Sequence, residues 1–248
     1  MWYQNWHIQT LQLFGITIQV WGLMLAIASI VGWLLFDYNL LKRKIKFDSS
    51  WLVFGFVLAG IVGARLMQVA MDWDYYSQHG WEIVKVWHGG MASFGAIILS
   101  FGFLFGYLSR FDNQRKKEIL DAAVGPLMIC LALARVGCFL INDHLGKVMS
   151  GTWGIYWWGE YRQPLILYYI GWNLLVFVIL QILFSYKKIE GKLFPVMMIM
   201  YGLGRMMIDI LFKDFEGDLN RYWLTIILSG LLILIGAIWL GWGKIRKK

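Results

Sequence analysis

The sequence predicts an all-α integral membrane protein of seven transmembrane helices, with the N-terminus outside and the C-terminus in the cytoplasm. Three observations predict it. Apolar residues fill 59% of the 248 positions and charged residues only 15%, well below the roughly 25% of an average soluble domain. Seven stretches of about 20 mostly apolar residues follow one another, each suited to cross a bilayer. Lysine and arginine collect in alternate connections between them, which is the positive-inside pattern.

The elements follow in order. Stretches 11–36, 90–109, 164–184 and 222–242 carry no charged side chain. Stretch 51–71 carries Arg65, 119–141 carries Asp121 and Arg135, and 193–212 carries Arg205 and Asp209. Together they form one membrane-embedded domain over 1–248. Residues 1–10 read as an arm at the outer interface, where Trp2, Tyr3 and Trp6 suit the headgroup layer. The arm has no basic region and no small-residue cleavage site, so no removable signal peptide is expected. The outer loops 72–89 and 142–163 are aromatic, with Trp153, Trp157 and Trp158 in the second, and should rest on the headgroups.

Orientation comes from the cations. Fifteen lie on one side: Lys42, Arg43, Lys44 and Lys46, then Arg110, Arg115, Lys116 and Lys117, then Lys187, Lys188 and Lys192, then Lys244, Arg246, Lys247 and Lys248. The other side has five, namely Lys85, Lys147, Arg162, Lys213 and Arg221. An odd number of spans puts the termini on opposite sides, and the charge bias puts the C-terminus inside. The same bias accounts for most of the +8 net charge, so no nucleic-acid partner is implied. Cys130 and Cys138 lie eight residues apart in one apolar stretch, which is neither a disulfide framework nor a CxxC metal site. No metal or cofactor is expected.

Ionisable residues inside spans mark a site or a structural pair. Arg65, Arg135 and Arg205 all fall past the middle of outward-running spans, in the outer half of the membrane. Each can pair with an acid, snorkel to the surface or serve a ligand. Arg205 and Asp209 are one turn apart on one helix face, with Tyr201 one turn earlier, while Gly202 and Gly204 permit close approach of a helix or a ligand. Asp121 reads as structural, a carboxylate near the N-terminus of its own helix. Arginines in excess of nearby acids call for an anion, and guanidinium forks match phosphate. At outer-leaflet depth that phosphate is most simply an anionic phospholipid headgroup.

These residues resemble a known family. ARVGCFLINDHLG, from Ala134 to Gly146, resembles the signature G-R-x-G-N-F-x-N-x-E-x-x-G of the prolipoprotein diacylglyceryl transferases. The run from Tyr201 through Arg205 to Asp209 resembles that family's Y-G-x-x-R-x-x-x-E. Similar matches join Val20–Met24 to W-Y-G-L-M, Gly63–Arg65 to G-G-R, Trp87–Met91 to W-x-G-G-M, and Gln163, Pro164 and Tyr168 to H-P-S-Q-L-Y. They fall in order along nearly the whole chain.

The resemblance implies transfer of diacylglycerol from phosphatidylglycerol to the lipobox cysteine of a preprolipoprotein, the first step of bacterial lipoprotein maturation, in the inner membrane with the active site toward the outer leaflet. It implies Arg135 and Arg205 at the phosphate, Asp143 and Asp209 as the site acids, Gly137 and Gly146 around the headgroup, and Tyr201, Trp21 and Arg65 in lipid contact. Phosphatidylglycerol, the signal-peptide region of the preprolipoprotein and membrane lipids are the implied partners.

The sequence also departs from the family. Phe94 stands at the histidine of G-G-M-S-F-H-G-G, Cys138 and Ile141 replace the two asparagines of the signature, Gln163 replaces a histidine, and the two acids are Asp rather than Glu. The phosphate-binding half is kept and the proton-transfer half altered. His144 beside Asp143 is the first candidate base, with His88 second. Cys138 reads as a small buried residue, with a nucleophilic role as the alternative. Loss of the family histidine leaves a second reading open, a non-catalytic or differently acting phospholipid-binding protein of the same fold. A small-molecule transporter has less support, because no paired broken helices are present.

Overall fold

The computed structural model describes residues 8–13, 16–86, 90–141, 146–151, 154–157, 159–186, 189–215 and 219–245. They form eight α-helices, a 3-10 turn and two small hairpins. Six helices are long and apolar enough to cross a membrane: α1 (Val20–Lys42), α2 (Ser50–Met71), α5 (Asn113–Leu140), α6 (Leu165–Phe184), α7 (Leu193–Phe212) and the Tyr222–Gly241 part of α8 (Leu219–Ile245). The remaining two are α3 (Trp73–Gln78) and α4 (Ser93–Leu108).

Three spans differ from expectation: α5 starts at Asn113 rather than 119, because its first six residues are polar and lie outside the apolar run, and the first and third spans change as follows. The first does not begin at residue 11. Strands β1 (Thr10–Leu13) and β2 (Ile16–Gln19) pair antiparallel there, and α1 starts at Val20 and continues to Lys42. The reason is visible in the residues. Leu11-Gln12-Leu13 and Ile16-Thr17-Ile18-Gln19 alternate apolar with polar, a strand period that hydropathy alone does not register. The third span is also shorter. Helix α4 has 16 residues, about 24 Å at 1.5 Å per residue, less than the ~30 Å hydrocarbon core. Gly90 at φ +68° keeps 90–92 out of the helix.

The chain divides into two compact units, residues 1–39 with 117–248, and residues 40–116. In the second, α2 and α4 cross at Gly63 and Gly95. Neither has room for a Cβ, because each faces the other's backbone carbonyl. Ser100 Oγ donates to Phe56 O at 2.9 Å, and Ala92 N to Ala64 O at 3.0 Å. Arg65 is buried, and its guanidinium is committed to main chain. Nε donates to Ile83 O at 2.9 Å, Nη1 to Gly90 O at 2.9 Å, and Nη2 to Glu82 O and, at 3.3 Å, to Lys85 O. It thereby pins the end of the 3-10 turn Gly80–Val84, together with Lys85 and Gly90, onto α2.

In the first unit, buried polar groups register the helices. Asn39 Nδ2 donates to Ala122 O at 2.9 Å, and Gln181 Nε2 donates to Asn39 Oδ1 at 2.7 Å, joining α1, α5 and α6. Cys130 Sγ donates to Ala28 O at 3.0 Å, and its sulfur fills the place a Cβ would need at Gly32. Asp121 lies eight residues into α5, so it does not serve its own helix N-terminus. Its carboxylate accepts the backbone N–H groups of Gly191 (2.5 Å), Leu193 (3.0 Å) and Phe194 (3.3 Å), capping α7 instead. These N–H groups have no intrahelical partner and carry the positive end of the helix dipole. The sequence could not show this, because the acid and the helix it caps are 70 residues apart. Helices α7 and α8 pack at Gly202 and Gly236, each with backbone of the other helix too close for a side chain.

Candidate active site

The site is assembled from three helices of the first unit. Arg135 lies near the end of α5, Arg205 two-thirds along α7, and Tyr169 in the second turn of α6. Pro164 precedes α6, where its ring fixes a backbone angle and its missing N–H costs no helical bond. From there Leu165 and Tyr169 turn inward onto Ile208, with Tyr168, Trp172 and Phe212 packed around them.

Both arginines close on one aromatic ring. Arg135 Cζ and Arg205 Cζ each lie 4.8 Å from the centroid of Tyr169. Two radii of 4.8 Å place the guanidinium carbons no more than 9.6 Å apart. A guanidinium over an aromatic face is attracted by the ring quadrupole, which offsets part of the mutual repulsion of the two cations. Tyr169, the ring between the two arginines, is a residue that the sequence did not single out. The available signal was the need of two partly buried cations for partners other than scarce acids.

The expected pair on α7 forms. Arg205 Nε lies 3.1 Å from Asp209 Oδ2, with Asp209 fully buried and the Arg205 side chain 19% exposed. The one-turn spacing sets this geometry. Among the described residues neither Asp209 oxygen has a hydrogen bond beyond that ion pair. Tyr201 sits half-buried one turn before Arg205. Gly204 has no room for a Cβ because the Trp172 indole occupies that space, and Trp172 Nε1 donates to Met200 O at 3.1 Å, fixing α6 against α7.

Gly137 lets α1 approach α5. A Cβ there would meet Met24 Cβ at 3.1 Å and Trp21 Cδ1 at 3.5 Å, so Trp21 packs on α5 at Gly137, two residues after Arg135. Cys138 is buried, with Arg135 Nη1 at 4.0 Å from its sulfur. Gly146 is buried with Gln163 backbone on the space a Cβ would need, and it forms a bridge with Lys213. Its small size thus serves main-chain packing at the end of α7.

That end is tied down. Lys147 N donates to Phe212 O and Lys147 Nζ to Ile210 O, each at 2.8 Å, placing a cation at a helix C-terminus. Strands β3 (Ile155–Trp157) and β4 (Glu160–Arg162) form a hairpin, turning at Gly159 with φ +92°. Arg162 Nη1 reaches Asp214 Oδ2 at 2.8 Å, and Tyr168 donates its hydroxyl to Gln163 Oε1 at 2.8 Å. Phe94, in the other unit, is exposed at the start of α4. Asp143, His144, His88, Trp2, Tyr3 and Trp6 lie outside the described residues.

Fold and site together define a class: a multi-pass membrane protein with two arginines and a buried acid gathered among its helices. Comparison with known proteins narrows this. Residues 9–242 match the family described as prolipoprotein diacylglyceryl transferase. A phosphatidylglycerol–prolipoprotein diacylglyceryl transferase of Streptococcus mutans serotype c is 33% identical over 212 residues, covering 79% of this chain and 80% of that protein. Proteins of the same description from Streptococcus pyogenes serotypes M5 and M1 are 34% identical over 213 residues, with the same shares covered. The chain belongs to the prolipoprotein diacylglyceryl transferase family, and is therefore a transferase of lipoprotein biosynthesis.

Proposed function

We propose that this enzyme transfers the diacylglyceryl group of phosphatidylglycerol to the lipobox cysteine of a preprolipoprotein, at the outer leaflet of the bacterial inner membrane. The observation that carries it is the convergence of Arg135 and Arg205 on one ring, from two helices whose motifs resemble the family's. In the reaction the cysteine sulfur attacks a glyceryl carbon. The C–S bond forms as the C–O bond to phosphate breaks, and glycerol phosphate leaves with the bonding pair. Negative charge grows on the phosphate oxygen, so cationic donors fixed in advance lower the barrier without reorganising.

Arg135 and Arg205 hold that phosphate in two forks. Asp209 orients Arg205, Tyr201 lines the site beside it, and Gly137 admits Trp21 to its wall. Arg65 serves indirectly, by holding main chain at Glu82, Ile83, Lys85 and Gly90. Gly146 serves likewise, by letting its own main chain pack between Gln163 and the end of α7. The thiol proton goes to His144, which follows Asp143 in the sequence, or to solvent. The membrane arrangement proposed with this is seven crossings, α4 being the short third one, with the N-terminus outside.

The test is direct. Purified protein in phosphatidylglycerol micelles is given a lipobox peptide, and the peptide is weighed by mass spectrometry. A gain of one diacylglyceryl group on the cysteine is expected. Phosphatidylglycerol binding with no mass gain would replace this reading with that of a non-catalytic lipid binder, which Phe94 at the family's histidine position favours.

A further inference from the structure

Tyr168 and Tyr169 are neighbours on α6, and their hydroxyls are treated differently. Tyr168 donates to Gln163 at 2.8 Å. Tyr169 is 4% exposed, its hydroxyl is buried, and among the described residues that hydroxyl has no hydrogen-bond partner. More than nine in ten buried polar groups are hydrogen-bonded, so a phenol buried without a partner costs stability unless something else engages it. Filling the core beside Leu165 and Ile208 would need only a phenylalanine.

The ring itself is engaged by Arg135 and Arg205, each at 4.8 Å. An anion gripped by both guanidinium groups must therefore sit against this same ring, and the hydroxyl is the one polar atom the ring can offer it. We propose that Tyr169 is the third member of the phosphate site, its ring fixing the gap between Arg135 and Arg205 and its hydroxyl donating to the phosphate they hold. The proposal rests on the transferase reading above. The ring acts as a positioning group, through the arginines. The hydroxyl touches the substrate, as a neutral donor that adds to the two charged forks and is lost when the glyceryl–phosphate bond breaks only if the product leaves.

The experiment uses the full-length enzyme in phosphatidylglycerol micelles. It measures KM for phosphatidylglycerol, KM for the lipobox peptide, and the inhibition constant of the released product, glycerol phosphate, which reports the phosphate site without the acyl chains. Tyr169→Phe keeps the ring and the packing and removes the donor. It should raise the glycerol phosphate constant roughly tenfold, the size of one hydrogen bond to a charged group, with the peptide KM unchanged. Tyr169→Leu removes the ring as well and should raise that constant roughly tenfold more, through two lost cation–π contacts. A purely structural residue would lower the melting temperature and leave the inhibition constant where it was.

A Phe variant with the wild-type inhibition constant overturns the proposal, and because Phe preserves the core this arm decides even where the Leu variant does not fold. A folded Leu variant equal to the Phe variant overturns the spacing role. Wild-type enzyme that forms no thioether refutes the transfer reaction itself, a result read before any variant, so the two failures are distinct.

Discussion

Replacing Asp209 by Asn removes one negative charge from a fully buried position, 3.1 Å from Arg205 Nε. At that distance, with an effective dielectric constant of about 20, the attraction is about 5 kcal/mol before desolvation. Part of it is offset by taking both charges out of water, and the 19% exposure of the Arg205 side chain adds some screening. Breaking such a pair costs about 3 kcal/mol net. If all of it is lost from arginine placement in the transition state, the rate falls roughly 10²-fold. The asparagine keeps the shape and cannot hold the guanidinium in its present direction. Asp209→Glu restores the charge with one more methylene and should recover most of the rate. The assay is thioether formation on a lipobox peptide, followed across about pH 6 to 9, where a lost proton acceptor would change the profile and a lost positioning charge would not. An Asp209→Asn enzyme with full turnover over that range would refute the reasoning, as would a loss that Glu fails to rescue.

Other substitutions test other parts. Arg135→Ala and Arg205→Ala should each abolish thioether formation, with Lys rescuing poorly at either position because it lacks the bidentate fork. Gly204→Ala drives a methyl into the Trp172 indole and should destabilise the protein by about 1–3 kcal/mol, seen as a lower melting temperature in micelles. Asp121→Asn weakens the cap on α7 and should cost about 1 kcal/mol of stability with KM for phosphatidylglycerol unchanged. His144→Gln should slow transfer roughly 10²-fold at neutral pH if His144 is the base, with the deficit shrinking as the pH approaches the peptide thiol's pKa. An unchanged pH–rate profile would assign the proton to solvent.

The membrane class, the positions of α2, α6 and α7 to within one residue, and the Arg205–Asp209 pair were all legible in the sequence. Each is a local property. Apolar run length fixes a span, and helical periodicity fixes which residues one turn apart can meet. The hairpin before α1 was also local, but it carried a strand period within a run whose mean hydropathy matched a helix. What only the tertiary structure decided depends on elements distant in sequence. Asp121 caps a helix 70 residues away, Arg65 spends its donors on carbonyls of the following loop, and Arg135 and Arg205 meet across Tyr169 of a third helix. A sequence states that such charges lie in an apolar span. Which partner satisfies each one is set by how the helices pack, because any buried donor or acceptor takes whatever complementary group the packing brings within about 3 Å.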